Sequence, residues 1–302
     1  MRQMHDRVIL KGSVTCARIM RLWTGCLVFS CSLFASGDAM KRAVALYQRT
    51  DYQGSLRILA EEPSSDAATL HLAGKNYFML GDYKRATDFF EKASALAPSN
   101  SEYMLWLGRA YGRRAETGGW FLAAPNASRA RQSFENAVAL DPHNHEAMND
   151  LFAYYLNAPG FLGGGIGKAE AIAKRVAEER PAESHFEQAQ LAEKRKDYQA
   201  AEAQLRNAME LAPQQVGRIL DLARFLATHG RTGESDALFA HAAKIAPNDP
   251  RVAFARAKSY IDAGRNLDQA RKLLEMYLQS EITPDDPPKQ NAEKLLRKAS
   301  GG

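Results

Sequence analysis

Cysteine is nearly absent from this chain of 302 residues. There are three, Cys16, Cys26 and Cys31, and all fall within residues 1–37. The rest can build neither a disulfide framework nor a thiolate metal site, so its stability must come from packing. Hydrophobic runs are also short. The longest, Leu22–Ala35, has 14 residues, fewer than the ~20 a helix needs to cross a bilayer. Charge of one sign is lacking too. Residues 1–37 hold five basic residues and one acidic, +4 of the formal +5, and the remainder is almost neutral. Nucleic-acid binding needs a basic surface on the folded part, and none is predicted here.

Catalytic and metal signatures are equally scarce. Gly167-Lys168 superficially suggests a phosphate loop, but that motif needs glycine where Leu162 stands and Ser or Thr where Ala169 stands. His143 and His145 flank Asn144 in a turn, with no cysteines or carboxylates at ligand spacing around them. No nucleophile and base are paired, and the reading is a chain without enzymatic activity, metal or cofactor. Asn126-Ala-Ser128 matches a glycosylation sequon and is taken as accidental.

What the chain does have is an export-type beginning. Arg2, Arg7, Lys11, Arg18 and Arg21 precede the apolar run, and the small residues Ala35, Ser36 and Gly37 follow it. That order is the pattern of a secretory signal peptide cut after Gly37, with Met20 as a second candidate start. A periplasmic or secreted protein is expected. The alternative is an uncleaved segment anchoring the chain to the inner membrane, the one membrane contact foreseen.

The body repeats itself, and repeats decide a fold before anything else. Thr50-Asp51-Tyr52, Gly81-Asp82-Tyr83, Lys196-Asp197-Tyr198 and Gly230-Arg231-Thr232 each sit between two amphipathic segments. Pro98, Pro142, Pro181, Pro213 and Pro247 close the second segment each time, and Pro213 and Pro247 are 34 residues apart. Proline lacks an amide donor and cannot continue a helix, so it marks the turn into the next unit. In residues 67–100, Leu70, Ala73, Gly74 and Tyr77 alternate small and large on the first helix, and Ala86, Phe90, Ala93 and Pro98 do so on the second. Met104, Leu107, Gly108 and Tyr111, then Ala130, Phe134 and Ala137, repeat the set; Ala189, Ala201, Leu205 and Ala208, and Ala223, Phe239 and Ala242, follow in phase.

These residues resemble the tetratricopeptide-repeat (TPR) family over roughly residues 36–283. The resemblance implies an all-α fold: an α-solenoid of about seven stacked helix-turn-helix hairpins wound as a right-handed superhelix. The units are expected at 38–66, 67–100, 101–144, 145–181, 182–215, 216–249 and 250–283. A proline-containing tail with a short capping helix follows over 284–302. No single hairpin buries its apolar face, so stability must come from neighbours stacking.

The third and fourth units are long, and their extra residues are expected as loops between paired helices: Glu116–Ser128 and Asn157–Lys168. The second is similar to a loop of bacterial exported TPR proteins. Both are rich in glycine and carry the aromatics Trp120, Phe121 and Phe161. Either they pack on each other to cover an edge, or they form a shared lip for a ligand.

The family resemblance also implies where a partner would lie. First helices line a concave face, and their ninth residues point inward: Val44, Lys75, Arg109, Ala153, Gln190, Arg224 and Lys258. Arg113 adds a cation one turn beyond Arg109, Trp106 a flat surface, and Asn149 a polar group in the fourth unit. Basic groups in two clusters favour a protein or peptide with an acidic segment. The clamp by which some family members hold a terminal carboxylate is incomplete, since His71 and Lys75 replace its lysine and asparagine. The implied role is a scaffold or adaptor. The alternative is an accessory part of an envelope machine whose loop inserts bind polysaccharide or peptidoglycan.

Overall fold

The structure, a computed structural model, describes residues 38–61 and 65–300. The expected leader, with its apolar run and three cysteines, lies outside them, as does Pro63. The described residues form helices joined by short turns, without a strand. The helices are α1 (38–48), α2 (Tyr52–Glu61), α3 (Ala67–Met79), α4 (Tyr83–Leu96), α5 (Ser101–Thr117), α6 (Trp120–Leu140), α7 (His145–Asn157), α8 (Ile166–Glu179), α9 (Pro181–Lys194), α10 (Tyr198–Leu211), α11 (Val216–Thr228), α12 (Thr232–Ile245), α13 (Pro250–Asp262), α14 (Leu267–Gln279) and α15 (Lys289–Ala299). Consecutive helices pair as seven hairpins, each stacked on the next, and α15 packs on α14 and α13.

Local chemistry sets the helix ends. Asp66, Asp82, Asn100, Asn144, Asp197 and Asp249 each accept a bond from a backbone N–H in the first turn that follows. These side chains satisfy donors that a helix start leaves unpaired. Between paired helices the chain turns through a left-handed residue: Thr50, Gly81, Lys196, Gly230 or Gly264, with φ between 61° and 80°. Glycine adopts that conformation without a Cβ clash, whereas Thr50 and Lys196 adopt it against steric preference. At the single-residue expansion of the last hairpin, Asn266 is left-handed as well, with φ 50°.

Size complementarity holds each hairpin. A Cβ on Gly74 would come within 2.6 Å of the Phe90 ring, and one on Gly108 within 2.6 Å of Phe134. Ala223 and Phe239 occupy the same registers in a later hairpin and are fully buried. In the fourth hairpin the sizes are exchanged: Phe152 holds the small residue's register and Ala173 the large one's, both buried in one cluster. That cluster runs from Ala86 on α4 to Leu191 on α9, so the core is continuous across hairpins.

The first insert is not a loop. Residues up to Thr117 extend α5 and residues from Trp120 belong to α6, which leaves Gly118 and Gly119 as the connection. The extra length is expected between the paired helices, yet Trp120–Ala124 and the alanines beyond are compatible with helix, and Pro125 removes only one amide donor. The extra length therefore prolongs the hairpin, with α5 of 17 residues and α6 of 21. The second insert is a tied-down turn. Gly160–Leu162 form one 3-10 turn, the Tyr154 hydroxyl donates to the Leu162 carbonyl at 2.9 Å, and Lys168 Nζ donates to the Gly163 carbonyl at 2.8 Å. Gly164 allows close approach, since a Cβ there would lie 1.9 Å from the Ala158 carbonyl oxygen.

Candidate functional site

A groove of about 1840 Å³ runs along the N-terminal half of the array. Lys75 of α3, Trp106, Arg109 and Arg113 of α5, and Ala153 of α7 line it. The helical period places these residues on one face of successive first helices.

Trp106 lies between two cations. Lys75 Nζ is 4.6 Å from the centre of its ring and the Arg109 guanidinium 4.8 Å. Lys75 is also 5.2 Å from the Tyr47 ring. The flat surface assigned to Trp106 is thus already occupied by its neighbours. Lys75 and Arg109 also have carboxylate partners on the following hairpin. Lys75 Nζ is 3.8 Å from Glu102. Arg109 donates from Nε to Asp150 at 2.5 Å and from Nη2 to Glu146 at 2.9 Å. Arg113 bonds to Glu116 and reaches the Tyr83 hydroxyl at 3.2 Å. The groove lining holds four Lys and Arg side chains against six Asp and Glu, so it is not a basic surface.

Burial sets the electrostatics. It pushes the Asp150 carboxyl up despite Arg109 beside it. Burial also acts downward on Arg109, but Asp150 and Glu146 hold that guanidinium above its ordinary value. His71, beneath Trp106, stacks on Tyr103 with ring centres 4.4 Å apart. Burial lowers its pKa, against the Glu102 carboxylate 3.3 Å away.

The other expected site residues do not join this groove. Arg224 pairs with Asp221 and Lys258 with Asp262, each on its own helix, and both cations are about half exposed. Gln190 and Asn149 are half-buried and are not part of the lining, and Asn149 Oδ1 has no hydrogen-bond partner. Ala123, Ala127, Pro159 and Leu162 bring the roots of both inserts to the groove wall. Their aromatic ends face solvent: Trp120 is 78% exposed, Phe121 71% and Phe161 85%. Trp120 and Phe121 stack with centres 3.5 Å apart. His143 and His145 both contact Glu179, at 2.7 and 3.5 Å. Among the described residues no group of three or more His, Cys, Asp or Glu is placed to hold a metal ion.

Sequence reasoning missed the carboxylates at the second and sixth positions of first helices, though Glu102, Glu146, Glu183, Asp150, Glu187 and Asp221 recur there in phase. It also missed Pro284 and Asp285, which line the groove alongside Tyr47. Burial raises the phenols of Tyr47 and Tyr52, the latter to about 12, and Asp285 adds to that effect at both. The curvature of the array thus returns the segment after α14 to the first hairpin, a contact no local pattern encodes.

Comparison with known proteins agrees with the geometry. Tetratricopeptide-repeat models match residues 67–100 and 192–259. A thermophilic TPR protein from Thermus thermophilus is 21% identical, with a TM-score of 0.51 over 63% of this chain and 98% of its own. A tetratricopeptide repeat protein from Parabacteroides merdae is 14% identical, with a TM-score of 0.57 over 88% of this chain and 99% of its own. A search of curated proteins finds no match. Such arrays serve in general as scaffolds for protein interaction, generally without catalysis. Residues 67–100 and 192–259 are thus tetratricopeptide repeats, and the described residues as a whole share the stacked-hairpin fold of solved tetratricopeptide-repeat arrays.

Proposed function

We propose that the chain is an exported scaffold that holds a segment of a protein partner along the groove between Tyr47 and Ala153. One observation carries this reading: the groove is large and open, and aromatic Trp106 lies on its wall between two cations. Export rests on the order of basic, apolar and small residues over 1–37. Among the described residues no helix is long and apolar enough to cross a membrane.

An acidic residue of the partner would enter by exchange. Glu102 and Glu146 are 56% and 69% exposed in their pairs with Lys75 and Arg109, and exposed pairs contribute little, typically ~0–1 kcal/mol. Displacing either one costs little. Asp150, more deeply set, stays with Arg109.

Arg113→Glu and Arg224→Glu test the groove with an internal control. Both cations are substantially exposed, but only Arg113 lines the groove. Recovery of crosslinked partner from the native envelope should fall for Arg113→Glu and hold for Arg224→Glu. Equal recovery with both variants rejects the groove. A second reading, glycan binding, is favoured by the stacked and exposed Trp120–Phe121 pair, a platform of the kind that flat apolar ligands use. Trp120→Ala would then abolish retention on peptidoglycan or envelope polysaccharide.

A further inference from the structure

The extra length of the third hairpin lies at one end. α5 has 17 residues against 13 in α3 and α7, and α6 has 21 against 14 in α4 and α8. The cap Asn100 and the turn at Pro142 hold the registers of Asp66 and Pro98, so the added turns flank Gly118 and Gly119. At about 1.5 Å per residue, the pair reaches roughly 6–10 Å past the ends of its neighbours' helices. The hairpin is therefore a finger, and its tip is apolar. Trp120, Phe121 and Leu122 are all exposed, and residues 117–128 carry no charged side chain. Beside it the turn Gly160–Leu162 packs on α6 and presents Phe161 to solvent, with exposed Ile166 at the start of α8.

Three consecutive large apolar side chains left in water mark a contact surface. Charge selects its kind. Residues 113–131 hold four arginines against one acidic residue. Arg113 pairs with that residue, Glu116, and Arg131 with Glu135. Arg114 and Arg129 have no carboxylate partner among the described residues. They lie against the Tyr111 ring, 5.9 and 5.4 Å from its centre, and Arg129 donates to its hydroxyl at 3.2 Å. Arg114 stands about one turn below the tip on α5. Arg129 stands further down α6, and its Cα–Cβ bond tilts toward the helix N-terminus, which is the tip. In the adjoining insert, residues 157–168, the one charged side chain is Lys168. Apolar tip, aromatic rings and then cations is the order in which a bilayer presents hydrocarbon, interface and phosphate. A sugar would find fewer partners. Trp120 and Phe121 cover one face of each other, Thr117 donates to the Arg113 carbonyl, and Asn126 is buried.

We propose that the tip of the third hairpin is a lipid-binding finger that inserts Trp120, Phe121 and Leu122 into the surface of an anionic membrane. Arg114 and Arg129 meet the headgroup phosphates, and Phe161 adds apolar contact from the next turn. This contact is independent of the leader and of any partner in the groove. Ala123 and Ala127, which line the groove, would then hold its wall close to the lipid.

The test uses the full chain carrying Trp23→Phe, which leaves Trp106 and Trp120 as its indoles. Vesicles of phosphatidylcholine brominated on the acyl chains, with or without phosphatidylglycerol, quench an indole that enters the bilayer. The readout is thus local to the tip, even where the leader itself attaches to lipid. Fluorescence should fall with the anionic vesicles, and the same fall should need at least about tenfold more lipid without phosphatidylglycerol. Trp120→Ala should remove the quenching, since Trp106 sits between Lys75 and Arg109 in the groove. Phe121→Ser with Leu122→Ser, at exposed positions the fold tolerates, should weaken it at least about tenfold. Arg114→Gln with Arg129→Gln should remove the preference for phosphatidylglycerol. The proposal is overturned by an unquenched Trp120, by equal quenching with both vesicles, or by effects that survive the serine pair or the glutamine pair. Retention on peptidoglycan or envelope polysaccharide that needs Trp120, without quenching, assigns the tip to glycan and overturns it too.

Discussion

Replacing Glu187 by glutamine should flatten the pH dependence of stability. The carboxyl is raised to about 8 from an ordinary 4.5, with burial the main cause and Glu183 the second. The folded chain therefore binds this proton more tightly than the unfolded chain. Its contribution favours folding most at pH values below the unfolded pKa and is lost as pH rises through the folded value. Each pH unit between the two values corresponds to about 1.4 kcal/mol, so the loss accumulates to the order of 4 kcal/mol between about pH 5 and about pH 9. Side-chain burial at 1% exposure leaves little solvent screening to reduce that figure. Glutamine has similar size and no titration, so the variant should lack this slope. Urea unfolding of both proteins across that range, followed by far-UV circular dichroism, measures the difference. Parallel pH profiles would show that Glu187 ionises normally and refute the reasoning.

Further outcomes follow from packing and backbone. Gly108→Ala should destabilise by about 1–3 kcal/mol, because the new Cβ would lie 2.6 Å from the Phe134 ring; helix propensity alone would give a gain of up to ~1 kcal/mol, so the sign of the shift in urea midpoint decides which effect wins. Lys196→Gly should stabilise by roughly 1 kcal/mol by relieving a left-handed conformation that glycine supplies at the equivalent turns Gly81 and Gly230, read as a raised melting temperature. Burial lowers the pKa of His71, so the unfolded chain binds that proton preferentially and stability should decline as pH falls below about 6.5; direct NMR titration of the ring would detect the depressed value.

The hairpin array is legible because its signals are local and repeated. Small residues at Gly74, Gly108, Ala189 and Ala223, large ones at Phe90, Phe134 and Phe239, and prolines between units each report on the turn or contact they make. Stacking then follows, since no hairpin can bury its own apolar face. Glycine and proline mislead at Glu116–Ser128. Their breaker tendency is a weak prior, and a helical continuation wins over Trp120–Ser128. The expected basic groove fails for a different reason. Taken one helix at a time, Lys75 and Arg109 look free, whereas their carboxylate partners lie 27 to 41 residues away on the next hairpin.

The sequence by itself determined the helical hairpins and their stacking, because periodicity and turn chemistry act over a few residues. Only the tertiary structure decided which charges are already satisfied, because an ion pair depends on how one hairpin sits on the next. It alone brought Pro284 and Asp285 back to Tyr47, since the curvature is a sum of small rotations that no single repeat records. It also buried Glu187 without a hydrogen-bond partner, which no local pattern in the sequence records.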